Sequence, residues 1–390
     1  MSENSSTVER PLLSPFNIIT SLIIVFGLWL TYLRFTGGLG AVTNLDHNNP
    51  WGIWIGFDLL CGVALAAGGY TTAAAVEIFG MKQYHAAVRP AVLTGFLGYS
   101  MVAFALLFDV GQPWRLPYPF FISPGVTSIM FEVGACVMLY LTVLFLEFSP
   151  AALEWMGAKK IRRIVMRLTV LLTIFGVLLS TLHQSSLGAM FLLVPSKLHP
   201  LWYSPYLPVF FFVSSIAAGL SMVIFEGTLA HRNFHDKMDE EHLKASSKVV
   251  MGFGRGASMV LAGYFAIKVF GIAIGNNWHY LTTGYGFWFM VELIGFVALP
   301  CFLFAVGVRD RNATVIKWAA LWTILGIVIN RLNIVLICFN WQLPSDERYF
   351  PNWMEIGISV FVVTVGIVIY RFIVTRMPIL YEHPDFKEKH

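Results

Sequence analysis

The feature that most limits the fold of this chain is a succession of ten apolar runs. A helix needs roughly 20 apolar residues to cross the hydrocarbon core of a membrane. Charged residues make up only 12% of the 390 residues, about half of the share in soluble domains. The runs cover residues 14–34, 51–80, 88–110, 126–148, 163–190, 207–230, 249–275, 285–307, 314–339 and 352–375. The sequence therefore predicts an all-α, polytopic membrane protein with about ten transmembrane helices.

A single membrane domain is predicted over residues 14–375, between tails at 1–13 and 376–390. The motif at residues 76–80 (VEIFG) is faintly echoed at residues 224–227 (IFEG). This echo indicates two related four-helix bundles, with helices 1 and 10 at their flanks. The first half would be helices 2–5 (residues 51–190), and the second half helices 6–9 (207–339). Helix 1 is expected to remain as the insertion signal, because no convincing cleavage site follows it.

The orientation follows from Lys and Arg, which favour cytoplasmic loops. With both termini in the cytoplasm, nineteen of these residues fall inside and only four outside, namely Arg34, Arg115, Lys197 and Arg348. The sequence therefore predicts a multi-pass protein of the bacterial or archaeal cytoplasmic (inner) membrane. Since the basic residues are confined to short loops, the pI near 8.8 does not indicate nucleic acid as a partner.

The outer loops differ in composition from the inner ones. Five of them are rich in Trp, Pro, Tyr, Asn and Gly: 37–50, 111–125, 192–208, 276–286 and 340–353. Aromatic residues anchor helices at both membrane interfaces, which explains part of this composition. Interface cores are also rich in aromatic residues and poor in charge. We therefore interpret these loops as a docking platform for an extracytoplasmic partner.

Ionisable side chains within the runs gather towards the outer side. Such groups are costly at membrane depth and persist mainly where they face a cavity, a partner or a ligand. The outer set is Asp58, Asp109, Glu132, His183, Lys268, Glu292, Arg331 and Glu355. Asp109 and Glu355 equally fit hydrated interfacial positions. Lys268, Glu292 and Arg331 equally fit buried structural ion pairs.

His183 and Glu132 are different, because each lies among apolar residues with no adjacent opposite charge. A membrane quinone takes up two electrons and two protons, so its carbonyl oxygens need hydrogen-bond donors that also transfer protons. Histidine titrates near ambient pH. A carboxylic acid desolvated in an apolar pocket can hold a proton. This pair therefore favours a quinone as the ligand.

Redox centres bound by the chain itself are not predicted. The four cysteines fall inside apolar runs, without a C-x-x-C pair or a metal-ligand spacing. A b-type haem usually needs two axial histidines at membrane depth, and His183 alone is convincingly within a run. His231, His235 and His242 fit a solvated loop better than a metal site. With no haem, iron–sulfur cluster or metal predicted here, electrons must come from a partner.

Short motifs rich in Pro, Trp, Gly and polar residues punctuate the runs. They are NPWGIWIGFD at 49–58, AAGGY at 66–70, YHAAVRPA at 84–91, DVGQPW at 109–114, Phe131-Glu132, LHQSSLG at 182–188, HPLW at 199–202 and FEG at 225–227. Together they resemble the NrfD/PsrC family of quinone-interacting membrane subunits over roughly residues 51–381. The resemblance is closest to its ten-helix branch, which includes HybB, the membrane subunit of hydrogenase-2-type uptake hydrogenases.

The resemblance implies a haem-free subunit that docks on an extracytoplasmic, ferredoxin-like iron–sulfur subunit and exchanges electrons with menaquinone. His183 and Glu132 would line the quinone pocket, and Ser186 belongs to the same motif as His183. Asp58, Asp109 and Trp114 would lie beside the pocket. The catalytic partner would be a periplasm-facing [NiFe] hydrogenase in this branch, and polysulfide reductase or multihaem systems elsewhere in the family.

Two questions stay open from the sequence. The first is whether protons cross the membrane. If they do, Glu77 and Glu226 are candidates for uptake from the cytoplasm, and Lys268, Glu292 and Arg331 are assigned to the same proton path.

The second is an alternative function, a secondary transporter or proton-coupled carrier. Ten helices, a repeat and intramembrane charges are also typical of such proteins. Transporters usually place their sites near the midplane at broken helices, whereas the polar groups here crowd one face.

Overall fold

The computed structural model describes residues 14–381 and residue 386. Ten segments of this part of the chain are long and apolar enough to cross a membrane, which confirms the predicted all-α polytopic fold. They are α1 (Pro15–Gly37), α2 (Trp54–Ile78), α3 (Lys82–Asp109), α4 (Ile129–Trp155), α5 (Thr169–Leu193), α6 (Leu207–Asn233), α7 (His242–Ile274), α8 (Gly284–Arg309), α9 (Ala313–Ile337) and α10 (Trp353–Arg376). The predicted N-terminal tail and most of the C-terminal tail lie outside the described residues.

The segments pack as two four-helix bundles with a flanking helix pair, as predicted. In the first bundle α3 packs between α2 and α4, and α4 packs on α5. In the second, α6 contacts both α7 and α9, and α8 lies between those two. The bundles meet along α6, which packs against α2 and α5. α1 pairs with α10, and α10 packs on α3.

The second segment, α2, is interrupted near its middle. The amide of Ala67 bonds to the carbonyl of Ala64 at 3.3 Å rather than continuing the helical ladder to Val63. The carbonyl of Val63 instead accepts a hydrogen bond from Nε2 of Gln184 in α5, at 2.9 Å. An unpaired backbone carbonyl is costly in a membrane. A side chain of the neighbouring helix therefore completes the hydrogen bonding of α2.

Directly after this interruption, two glycines let α2 and α6 approach each other closely. A Cβ atom added to Gly219 would lie 2.7 Å from the carbonyl carbon of Ala67 and 2.7 Å from the amide nitrogen of Gly68. A Cβ added to Gly68 would lie 3.1 Å from the carbonyl oxygen of Gly219. Small residues permit such backbone contact between membrane helices. The crossing of Gly68 and Gly219 is therefore a close backbone contact in the seam between the bundles.

We expect Gly219→Ala to lower the stability of the protein by about 1–3 kcal/mol, the usual cost of overpacking. The added methyl group would meet backbone atoms of α2, which cannot rotate away. Gly227→Ala on the same helix is the matched control, because no atom lies within 4 Å of its added Cβ. Thermal unfolding of both variants in detergent measures the difference. Equal melting temperatures would contradict the tight crossing.

Four stretches of the spans that we describe are wound as π-helix: Trp54–Leu59, Ala74–Ile78, Val291–Ala298 and Asn333–Ile337. Each carries one polar or ionisable side chain at membrane depth: Asp58, Glu77, Glu292 and Asn333. π-Helical insertions occur frequently at functional sites. Three of the ionisable positions predicted from the sequence therefore coincide with irregular backbone.

Candidate functional site

His183 is enclosed within the first bundle. It lies seven residues before the end of the α-helix at Met190, roughly 10 Å along the axis at about 1.5 Å per residue. Its side chain is 0% exposed, and its ring centroid lies 5.7 Å from that of Tyr99 in α3. Neither ring nitrogen has a partner of hydrogen-bond geometry among the described residues. The imidazole is therefore buried with both of its polar atoms unused.

The neighbours of His183 repeat this pattern. The Tyr99 ring packs edge-on against Tyr140 of α4 at 4.7 Å, and Ser180 lies one turn before His183. The hydroxyls of Tyr99, Tyr140 and Ser180, and Oε1 of Gln184, also lack partners of hydrogen-bond geometry in the described chain. Buried polar atoms are nearly always satisfied. Six unsatisfied atoms in one place, which we name the His183 cluster, indicate a polar ligand or bound water.

A hydrogen-bonded pair, Glu132 and Ser186, lies beside this cluster. The hydroxyl of Ser186 donates to Oε1 of Glu132 at 2.6 Å. Ser186 follows His183 by three residues, so the two side chains share one face of α5. Ser186 is buried, whereas Glu132 is exposed on the surface of this chain. Ser186 therefore connects the exposed carboxylate of Glu132 to the helical turn that carries His183.

Asp58, Asp109 and Trp114 make other contacts. Oδ2 of Asp58 accepts a hydrogen bond from Ser359 of α10 at 2.7 Å. The guanidinium of Arg34 faces the end of α3 beside Asp109 and donates to two backbone carbonyls there, at 2.7 and 2.9 Å. Trp114 is 69% exposed in its loop. In the described residues no hydrogen bond joins these three side chains to Glu132, Ser186 or His183.

Glu355 is not the hydrated interfacial acid that the sequence allows. It is fully buried at the start of α10 and accepts hydrogen bonds from the backbone amides of Asn44 at 2.8 Å and Asn352 at 3.1 Å. The hydroxyl of Tyr349 donates to its other oxygen. Burial, and then this bond to Glu355, raise the pKa of Tyr349 above its usual value, so the hydroxyl stays protonated. Glu355 thus ties α10 to the loop between α1 and α2.

Glu292 of α8 lies at the centre of a polar network in the second bundle. Its two carboxylate oxygens accept hydrogen bonds from Nδ2 of Asn330 at 2.6 Å, Nδ2 of Asn333 at 2.5 Å and Nε1 of Trp202 at 2.9 Å. Nε1 of Trp288 donates in turn to Oδ1 of Asn333 at 3.1 Å. In the part of the chain described here these neutral donors, and no Lys or Arg, bond to the carboxylate. The structural ion pair that the sequence allowed is therefore not formed there.

The two buried cations of this bundle lie against aromatic rings. Nζ of Lys268 is 5.0 Å from the ring centroid of Phe210 and 5.7 Å from that of Phe289. Cζ of Arg331 lies 3.8 Å above Phe211, and its amino groups donate at 2.7 Å to Asn330 and to Ser214. Ring faces stabilise a desolvated cation. Arg331 and Glu292 both bond to Asn330, so the network spans α6, α8 and α9.

The carboxylates assigned to cytoplasmic proton uptake lie at the opposite end of the bundles. Glu226 is buried and accepts a hydrogen bond from the hydroxyl of Tyr370 at 2.7 Å. It lines a cavity of about 70 Å³ together with Met238, His242 and other residues. Glu77 is half-buried on α2. No continuous chain of protein hydrogen bonds links either carboxylate to His183 within the described residues.

Several contributors to these clusters were not predicted. They are Tyr99, Tyr140, Ser180, Gln184, Trp202, Ser214, Asn330 and Asn333. Gln184 and the two asparagines were recognisable as amides inside apolar runs, which need partners at membrane depth. Across the described chain, no group of three or more His, Cys, Asp or Glu residues is placed to hold a metal ion.

Comparisons with known proteins identify relatives along the whole chain. The model of the family described as Polysulphide reductase, NrfD, matches residues 41–341. A Nitratidesulfovibrio vulgaris protein described only as "Protein" is 66% identical over 99% of both chains. The probable Ni/Fe-hydrogenase 2 b-type cytochrome subunit of Escherichia coli is 32% identical, over 97% of this chain and 96% of the relative. The menaquinone reductase integral membrane subunit of N. vulgaris is 28% identical, over 98% and 96%.

Proposed function

Because the chain belongs to the NrfD family, we propose that it is the quinone-reactive membrane anchor of a respiratory oxidoreductase complex. The observation that carries the proposal is the His183 cluster, six buried polar atoms in one place that have no protein partner of hydrogen-bond geometry. The names of two relatives, a menaquinone reductase subunit and a hydrogenase subunit, support an oxidoreductase complex. The first of them supports menaquinone as the quinone.

The residues of the His183 cluster fit a quinone. The hydroxyls of Tyr99, Tyr140 and Ser180 can each donate a hydrogen bond to a carbonyl oxygen, and the imidazole can donate or accept one. Oε1 of Gln184 can accept a bond from the hydroxyl of a quinol. The tyrosine rings offer apolar walls for a flat ring system. A bound quinone would accept the electron pair, and in the reverse direction a bound quinol would supply it.

Protons would move through the residues that connect this cluster to the surface. The exposed carboxylate of Glu132 takes up a proton, and the hydroxyl of Ser186, at 2.6 Å, links it to the buried face of α5. His183 would then relay the proton to the bound ring, because a neutral imidazole can accept a proton at one ring nitrogen and donate one from the other. Uptake from the cytoplasm through Glu77 or Glu226, with Lys268, Glu292 and Arg331 as relay, would make the reaction electrogenic.

Electrons would arrive through an extracytoplasmic, ferredoxin-like iron–sulfur subunit. We place its docking surface on the loop before α4, where Trp114, Phe121 and Val126 are 69%, 80% and 77% exposed. Exposed apolar clusters of this kind are typical of protein interfaces. The same loop leads into Glu132 in the first turn of α4. The catalytic partner we favour is a periplasm-facing [NiFe] hydrogenase, since one relative is named as a hydrogenase subunit.

We propose that the chain itself binds no haem, although that relative is named a b-type cytochrome subunit. A bis-histidine haem needs two imidazoles facing each other at membrane depth. In the described residues, His183 is the only histidine buried well inside a span; His199 is buried in an outer loop, stacked on Tyr285 at 4.6 Å. An absorption spectrum of the pyridine-treated chain should therefore lack the haem band.

The interrupted α2 is the one observation that favours a transporter. The interruption is closed, however, by the bond from Gln184 to Val63 and by the glycine crossing directly after it. These contacts leave no room for a substrate between α2 and α6 at that level. The six atoms of the His183 cluster lie instead among α3, α4 and α5. We therefore prefer the redox function.

Purification of the tagged chain from native membranes tests the function. We expect iron–sulfur absorbance and partner subunits to co-purify, and the complex to exchange electrons with a menaquinone analogue. A chain that purifies alone, without iron–sulfur absorbance, and that carries out transport in vesicles would overturn the proposal.

We also propose that both termini are cytoplasmic, because basic residues favour that side. A C-terminal fluorescent-protein fusion, which fluoresces only in the cytosol, checks this orientation.

A further inference from the structure

A short basic helix, Lys159–Arg167, connects α4 to α5. Five of its nine residues are Lys or Arg and none is acidic: Lys159, Lys160, Arg162, Arg163 and Arg167. It lies at the end of the bundle where Arg89 donates to the backbone carbonyl of Pro378, directly after α10. These charges agree with the predicted orientation, but orientation alone gives the helix itself no role.

An internal ion pair sets the rotation of the basic helix. Nε of Arg162 donates to Oε1 of Glu154 at 2.8 Å, and Arg89 of α3 donates to both carboxylate oxygens at 2.9 and 3.1 Å. The side chain of Glu154 is fully buried between the two arginines. Arg162 therefore points into the protein. Of the other four basic residues, Lys159 lies over the ring of Phe386 at 5.4 Å, and Lys160, Arg163 and Arg167 are exposed on the outer side of the helix.

The outer side of the basic helix has two adjacent faces. At about 100° per residue, Lys159, Lys160, Arg163 and Arg167 share one face. Ile161, Ile164 and the following Leu168 share the next, where Ile161 is 56% exposed and Ile164 60% exposed. A basic face beside an exposed apolar face characterises helices that lie in the membrane interface. If the basic residues served only to orient the protein in the membrane, the helix would not need an exposed apolar face beside them.

We propose that the basic helix is a binding site for anionic phospholipid. Lys160, Arg163 and Arg167 would contact the phosphodiester groups of the headgroups. Ile161 and Ile164 would enter the boundary between headgroups and acyl chains. Each basic residue near an anionic surface contributes to such binding. This site does not depend on the quinone function, because no residue of the His183 cluster belongs to it.

The test removes three charges at this site and three elsewhere. One variant carries Lys160→Gln, Arg163→Gln and Arg167→Gln, which leaves the pair of Arg162 and Glu154 in place. The control carries Arg232→Gln, Lys237→Gln and Lys248→Gln, three exposed basic residues that lie outside this helix. Phosphatidylglycerol retained by each full-length protein is measured by native mass spectrometry. We expect at least about a tenfold loss in the first variant and little change in the control.

A second measurement uses the unaltered protein and so does not depend on how the variants fold. Amide hydrogen exchange of residues 159–167 is compared in nanodiscs of phosphatidylcholine alone and of equal parts phosphatidylcholine and phosphatidylglycerol. We expect slower exchange with phosphatidylglycerol. Equal exchange in the two lipids, or equal lipid loss in the two variants, would overturn the proposal. Either result would leave an acidic protein as the better occupant of this face.

Discussion

His183→Ala in the assembled complex is expected to lower the turnover of a menaquinone analogue at least about 100-fold, the usual contribution of a positioned proton donor. The imidazole is buried with both nitrogens free for a ligand, and no other histidine in the described residues lies near enough to replace it. Glu132→Gln should cause a smaller loss, of about tenfold. Its carboxylate is exposed, so water can partly replace it.

The matched control for these variants is Glu347→Gln, which replaces an exposed acid in the loop between α9 and α10. All three proteins should retain their partner subunits and their iron–sulfur absorbance, which separates a catalytic loss from a failure of assembly. Steady-state reduction of the analogue, with the natural electron donor of the complex, gives the turnover number. Unchanged turnover in both site variants would remove His183 and Glu132 from the mechanism and leave the role of membrane anchor intact.

Glu292→Leu is expected to destabilise the protein by at least about 3 kcal/mol, because three buried donors lose their acceptor at a cost of about 1 kcal/mol or more each. The donors are the side-chain nitrogens of Asn330, Asn333 and Trp202. Arg331 also loses a nearby anion, because its guanidinium and the Glu292 carboxylate both bond to Asn330. The expected result is a large fall in melting temperature, or loss of the protein from the membrane.

The control for this substitution is Glu347→Leu, since that side chain is exposed and makes no hydrogen bond in the described structure. Thermal unfolding in one detergent compares the two proteins. Glu292→Gln separates structure from proton transfer, because the amide keeps the volume of the carboxylate and cannot carry a proton. A melting temperature of Glu292→Leu equal to that of the control would show that the network contributes nothing to stability.

The ten spans were predictable because hydropathy at membrane length depends on composition alone. The ends of the spans were harder to predict. The fifth run was predicted to begin at residue 163, whereas the basic helix continues to Arg167 and α5 begins at Thr169. The interruption of α2 at Ala66–Ala67 was not predictable either. Alanine and glycine are equally apolar in a continuous helix and in a broken one. Only the approach of α6 and the bond from Gln184 distinguish the two.

In the candidate site, the sequence identified residue types better than their partners. Glu132 and Ser186 were both selected, and their hydrogen bond joins positions 54 residues apart. The bond between Asp58 and Ser359, 301 residues apart, was invisible because it depends on which face of α2 meets α10. The exposure of Glu132 was missed for the same reason. The depth of a side chain in the membrane follows from its position along the helix, which the sequence gives. Whether the side chain is buried depends on how the helix is rotated against its neighbours, which the sequence does not give.

The facing glycines at the seam limit how this subunit can be recombined with its relatives. A chimaera that took helices 2–5 from one homologue and helices 6–9 from another would inherit the two sides of the crossing separately. It would assemble only if both parents keep a residue without a side chain at the positions of Gly68 and Gly219. The two halves are thus exchangeable only between relatives that have glycine at both positions.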